Sequence, residues 1–93
     1  MKRIKLSEYN KSLGQLIDVE DQYTYSKGHH PDSINIPYQK LSFNYKTLLD
    51  KSKPYYIMCN GGFKSKKIVN ILEFYGYNVT QVYKEWFFFY FVL

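Results

Sequence analysis

The stretch PYYIMCNGGFKSKK, Pro54 to Lys67, decides the reading of the chain, because it carries the only cysteine, Cys59, out of an apolar run and into two glycines and a group of lysines. Tyr55 to Cys59 is rich in aromatic and branched residues and reads as a buried strand. Beyond it, Ser65 to Tyr75 places Ile68, Ile71, Leu72 and Tyr75 on one side of a helix, with Gly76 where a left-handed cap belongs. Cys59 therefore ends a strand, and a short loop feeds a helix. In alternating α/β sheets, ligands bind beyond the carboxyl ends of strands at such turns.

The loop suits an anion. Gly61 and Gly62 let the backbone curl, so that the amides of Asn60, Gly61, Gly62, Phe63 and Lys64 are expected to point inward as a nest. The positive end of the following helix and the charges of Lys64, Lys66 and Lys67 act in the same sense. Together they favour a negative sulfur, the nucleophilic form of cysteine. A lone cysteine in an apolar strand is more often an inert core residue. The double glycine reverses that preference, since it weakens the chain unless the curl is needed. Lys66 and Lys67 read as a solvated helix start, and Lys64 as functional.

Working outward, short apolar runs alternate with helical stretches: Ile4 to Leu6, Gln15 to Val19, Ser33 to Pro37 and Val79 to Tyr83 join Tyr55 to Cys59 as strands. Ser7 with Glu8 opens a helical turn ending near Gly14, and Asp21 to Ser26 forms another, closed by Gly28. After Pro37, Leu41, Tyr45, Leu48 and Leu49 share a helical face. This alternation predicts an α/β domain with a mostly parallel five-stranded sheet flanked by helices.

With 93 residues the chain holds one domain, taken as residues 1–85, followed by an apolar tail at 86–93. A hydrophobic content of 45% with 20% aromatics supplies a core and excludes disorder. One cysteine cannot form an internal disulfide and no leader-like segment opens the sequence, so a cytoplasmic, reducing compartment is expected. The apolar run Trp86 to Leu93 falls far short of the roughly 20 residues of a membrane-spanning helix. The net charge of +5 comes from lysines interleaved with acidic residues, which favours a small anionic ligand over nucleic acid. His29 and His30 are adjacent on a loop and do not converge on one ion, so no metal site is expected.

Cys59, Gly62, Lys64 and Ser65 match an active-site loop of Cys, two residues, Gly, one residue, a basic residue and Ser. Upstream, LIDVEDQYTYSKGHHPDSINIP, Leu16 to Pro37, carries Asp18, Val19, Tyr25, Gly28, His29, Ile34, Asn35, Ile36 and Pro37 at the positions of a second signature. On these two motifs the chain resembles the rhodanese homology family over residues 4–83. The resemblance implies a three-layer α/β/α rhodanese-like fold and a sulfurtransferase needing no metal or organic cofactor. Cys59 would be the catalytic nucleophile, attacking the outer sulfur of thiosulfate or of a persulfide donor, with Asn60, Gly61, Gly62, Phe63, Lys64 and Ser65 binding the substrate. Sulfite is a competent leaving group, so no neighbouring general acid is required. Having no second cysteine, the chain would hand its sulfur to an external thiol, to cyanide or to a sulfur-acceptor protein. A related phosphatase subgroup places Arg six residues after Cys; here Ser65 stands there, which disfavours that chemistry.

Three departures support an alternative, a catalytically silent rhodanese-like binding or regulatory module. Glu20 stands where the family has Arg, with Thr24 in place of an acidic partner, which reads as the loss of a structural ion pair at both ends. Lys64 replaces the usual Arg and lacks its bidentate geometry. Lys84 and Glu85 stand where two glycines are usual, and Trp86 to Leu93 is expected to pack across the domain or to form a homodimer contact. Asp18 reads as buried and hydrogen-bonded, and His29 as a local hydrogen-bonding residue beside Gly28.

Overall fold

Residues 1–84 are described by the computed structural model of the chain. Its strands are β1 (Lys2–Lys5), β2 (Gln15–Asp18), β3 (Ser33–Asn35), β4 (Pro54–Met58) and β5 (Asn78–Tyr83). They form one sheet in the order β1-β5-β4-β2-β3, and every pairing is parallel. The helices are α1 (Gln22–Lys27), α2 (Tyr38–Leu48) and α3 (Phe63–Phe74). The turn predicted from Ser7 is a single 3-10 turn at Leu6–Glu8. Packing across the domain or between copies by residues 86–93 lies outside the described residues. No helix among the described residues is long and apolar enough to cross a membrane.

The pleat divides the core in two. Along β4, Tyr55, Ile57 and the following Cys59 join the cluster containing Leu41 of α2 and Ile68, Val69 and Leu72 of α3. The alternate residues Tyr56 and Met58 join Tyr9, Leu16 and Val82 on the opposite face. The same alternation along β5 places Val79 with the α3 cluster, and Gln81, two residues on, shares its face. An all-parallel sheet also brings every strand's carboxyl end to one edge. Cys59 after β4, Glu20 after β2 and Gln81 late in β5 therefore converge there.

Two helical faces differ from expectation. Of the expected α2 face, Leu41 is buried and Tyr45 packs on the core; Leu48 is 37% exposed, while Leu49, the extended residue that ends the helix, is buried. In α3 the inward residues are Ser65, Ile68, Val69 and Leu72, and the helix begins at Phe63. Its amino end follows Gly62 at φ +85°, a left-handed conformation that glycine adopts without strain.

Candidate active site

A helix leaves its first amides without intrahelical partners, and a side-chain oxygen at the N-cap usually receives one of them. The N-cap of α3 is Gly62, which has no side chain, and Cys59 takes over that role. The amides of Gly62 and Ser65 donate to Cys59 Sγ at 3.1 and 3.2 Å. The Cys59 thiol in turn donates to Ser65 Oγ at 3.3 Å. Cys59 is only 4% exposed, so the sulfur sits at the bottom of its loop with fixed N–H dipoles aimed at it. This arrangement stabilises negative charge on the sulfur without reorganisation.

The loop is braced from both sides. On the β5 side, Gln81 is 2% exposed, and its Nε2 donates to Gly62 O at 3.0 Å and to Ser65 Oγ at 2.9 Å. Its Oε1 accepts from Arg3 Nε at 3.0 Å, and the Arg3 guanidinium lies 4.4 Å over the Tyr83 ring. Arg3 and Gln81 are register partners in β1 and β5. Arg3, Gly61, Gly62, Phe63, Lys66 and Gln81 contribute to the wall of a pocket of ≈310 Å³ on this side.

On the β2 side the brace is a carboxylate. Glu20 Oε2 accepts from the Asn60 amide at 2.8 Å, and Oε1 pairs with Lys64 Nζ at 3.1 Å. The turn carrying Glu20 is itself pinned. Asp18 Oδ1 accepts from the Glu20 amide at 2.9 Å, and Asn35 Nδ2 donates to the carbonyls of Asp18 and Glu20 at 3.0 and 2.8 Å. Burial pushes the Asp18 carboxyl above its ordinary range, opposed by the Glu20 amide and reinforced by the Glu20 charge. Next along the chain, Asp21 caps α1 by accepting from the Thr24 amide at 2.8 Å, a bond that holds its own carboxyl below the ordinary range.

The residues singled out in the sequence thus lie together around one sulfur, in different roles. Gly62 and Ser65 supply the amides at Cys59. In this state the Asn60 amide and the Lys64 ammonium are engaged by Glu20, and Phe63 is exposed. Asp18 is buried and hydrogen-bonded, as its sequence context predicts. His29 Nδ1 lies 2.7 Å from Tyr25 O and its ring stacks on Tyr25 at 3.7 Å. Among the described residues no group of His, Cys, Asp and Glu could hold a metal ion. Sequence reasoning missed the Glu20–Lys64 ion pair and Gln81. A polar residue on the inward-facing period of a short strand was the available signal for Gln81.

The description Rhodanese-like domain matches residues 4–87. A rhodanese-related protein from Thermoplasma volcanium is similar with a TM-score of 0.80 and 27% identity, over 88% of this chain and 83% of that one. A rhodanese-like domain protein from Staphylococcus aureus is similar at 33% identity and a TM-score of 0.77, over 88% and 84% of the two chains. The reduced CoADR-RHD of Bacillus anthracis is similar at 26% identity and a TM-score of 0.77, over 87% of this chain but 15% of that one. No curated protein matches the chain. With both signatures folded around one cysteine and the family description covering most of its length, the chain belongs to the rhodanese-like domain family.

Proposed function

We propose that the protein is a sulfurtransferase that carries a sulfane sulfur on Cys59. The observation that supports this most is the pair of loop amides, Gly62 and Ser65, directed at Cys59 Sγ at the start of α3. A terminal persulfide sulfur and an incoming donor are both negative, and fixed N–H dipoles suit both. The Cys59 thiolate attacks the outer sulfur of thiosulfate or of an organic persulfide, and sulfite or a thiolate departs. The Cys59 persulfide then yields its outer sulfur to cyanide, a small thiol or a thiol-bearing protein. With one cysteine in the chain, that acceptor is another molecule, and a reducing cytoplasm suits such a carrier.

The test is to expose the folded protein to thiosulfate or to an organic persulfide and look for a gain of one sulfur in the mass of Cys59. Cyanide is then added and thiocyanate measured. Both signals are expected in the wild type and neither in Cys59→Ser; absence of both from the wild type overturns the reading. A silent binding module is favoured by one observation, that Cys59 Sγ is buried and already serves as the cap of α3. That module predicts a Cys59→Ser variant indistinguishable from the wild type in every sulfur assay.

A further inference from the structure

Two of the donors that the sequence assigns to an incoming anion, the Asn60 amide and the Lys64 ammonium, are held by the carboxylate of Glu20 at 2.8 and 3.1 Å. An anion belonging to the protein therefore already sits beside the nucleophile. Glu20 is fixed there by its burial and by the hydrogen bonds of Asp18 and Asn35 to its turn. Lys64 is neutralised within the pair, and Asp21, next to Glu20, adds a further carboxylate to the same side of the loop.

We propose that Glu20 is a specificity determinant that sets the site against a dianionic oxyanion donor such as thiosulfate and in favour of monoanionic organic persulfides. The proposal rests on the sulfurtransferase reading and refines its donor class. In the favoured reaction, the Cys59 sulfur bonds to the terminal sulfur of R–S–S⁻ while the bond from that sulfur to R–S breaks. The electron pair leaves with R–S⁻, which takes up the proton shed by the Cys59 thiol, so no outside oxidant or reductant is needed. The Glu20 carboxylate repels the second negative charge of a dianionic donor, a charge that a monoanion lacks, so it weakens the attraction of the dianion to the site selectively. The cations on the opposite wall, Arg3, Lys66, Lys84 and the Met1 ammonium, are retained in every variant below, so ratios between variants isolate Glu20 and its partner.

The experiment measures kcat/KM for thiosulfate and for the persulfide of 2-mercaptoethanol in the wild type, Glu20→Gln and Lys64→Met, each shown to be folded by circular dichroism. Glu20→Gln keeps an acceptor for the Asn60 amide and is expected to raise the thiosulfate-to-persulfide ratio about 10-fold, an effect that shrinks with added salt. Lys64→Met leaves the Glu20 charge uncompensated and is expected to lower the ratio, which keeps the idea testable if Glu20→Gln fails to fold. A ratio unmoved by a folded variant overturns the proposal while leaving sulfur transfer intact. If the wild type gains sulfur from neither donor, the sulfurtransferase reading fails and this proposal falls with it.

Discussion

The two flanks of the Cys59 loop perform one task by different physics. On the β5 side a neutral carboxamide, Gln81, holds Gly62 O and Ser65 Oγ; on the β2 side a carboxylate, Glu20, holds the Asn60 amide and Lys64. A dipole brace loses little solvation on burial and does not respond to pH. An ionic brace loses more and carries a charge that any visiting anion must meet. The loop is thus fixed on one side by a neutral group, and on the other side by a charged one.

The comparison breaks most visibly at Gln81. Gln81→Leu keeps the volume but leaves Ser65 Oγ with the Cys59 thiol as its donor and removes the Gln81 acceptor of Arg3 Nε, and should cost about 1–3 kcal/mol in urea unfolding, with slower sulfur uptake by Cys59. The loss should be the same at pH 5 and pH 8; a strongly pH-dependent loss would contradict a neutral brace. Gly62→Ala comes next. The nearest atom to an added Cβ is Gln81 Nε2 at 3.9 Å, so space is adequate and the cost lies in the left-handed backbone, about 1 kcal/mol. Because Gly62 carries one of the two amides at the sulfur, alkylation of Cys59 by iodoacetamide should also change in rate.

Asp18→Asn tests the ionic flank through pH. Burial raises the Asp18 carboxyl above the ordinary value of 3.8, so its folded state holds the proton more tightly than the unfolded chain. The resulting stabilisation is fully present below pH 3.8 and is lost as pH rises through the raised folded value. Asparagine still accepts the Glu20 amide and ionises nowhere in this range. The variant's melting temperature, measured against the wild type, should therefore gain as pH rises from 3 to 7; a gap independent of pH would refute the assignment. The smallest effect is expected at Tyr83→Leu, which removes the ring beneath Arg3 and keeps the Arg3–Gln81 bond, about 0.5–1 kcal/mol seen as a small shift in urea midpoint.

The parts of this architecture that depend on neighbours in sequence were the legible ones. Residues Tyr55 to Cys59 read as a strand because the run is apolar, and the helix after Gly62 follows from its repeat of inward residues. The burial of Asp18 was read from its sequence context, but not the hydrogen bond that Asn35 makes to its carbonyl from the paired strand. The Glu20–Lys64 pair was not legible because Lys64 stands 44 residues from Glu20 and meets it only when β2 and β4 lie side by side. Gln81 carried a signal, its polar side chain on an inward-facing strand period, but its partners Gly62 and Ser65 are likewise remote in sequence. A strand announces its own faces, but not which loop another strand will present to them. In α2 the apolar spacing placed Leu41, Tyr45 and Leu49 on the core and failed only at Leu48, the last helical residue.

The register of β1 against β5 has a bearing on the order in which the molecule assembles. Residues 2–5 pair only with residues 80–83, and the Arg3–Gln81 bond spans that same junction. During synthesis β1 must therefore wait for nearly all of the described chain before it finds its neighbour. Contacts of such long range are slow to form, since a large loop must close before any of them is made. Gln81 arrives with that last strand, so a nascent chain can bury the Ile57 and Ile68 core while the cradle around Cys59 is still unbraced. The complete hydrogen-bond cradle of Cys59 is then a late event of folding, acquired when the sheet closes on β5.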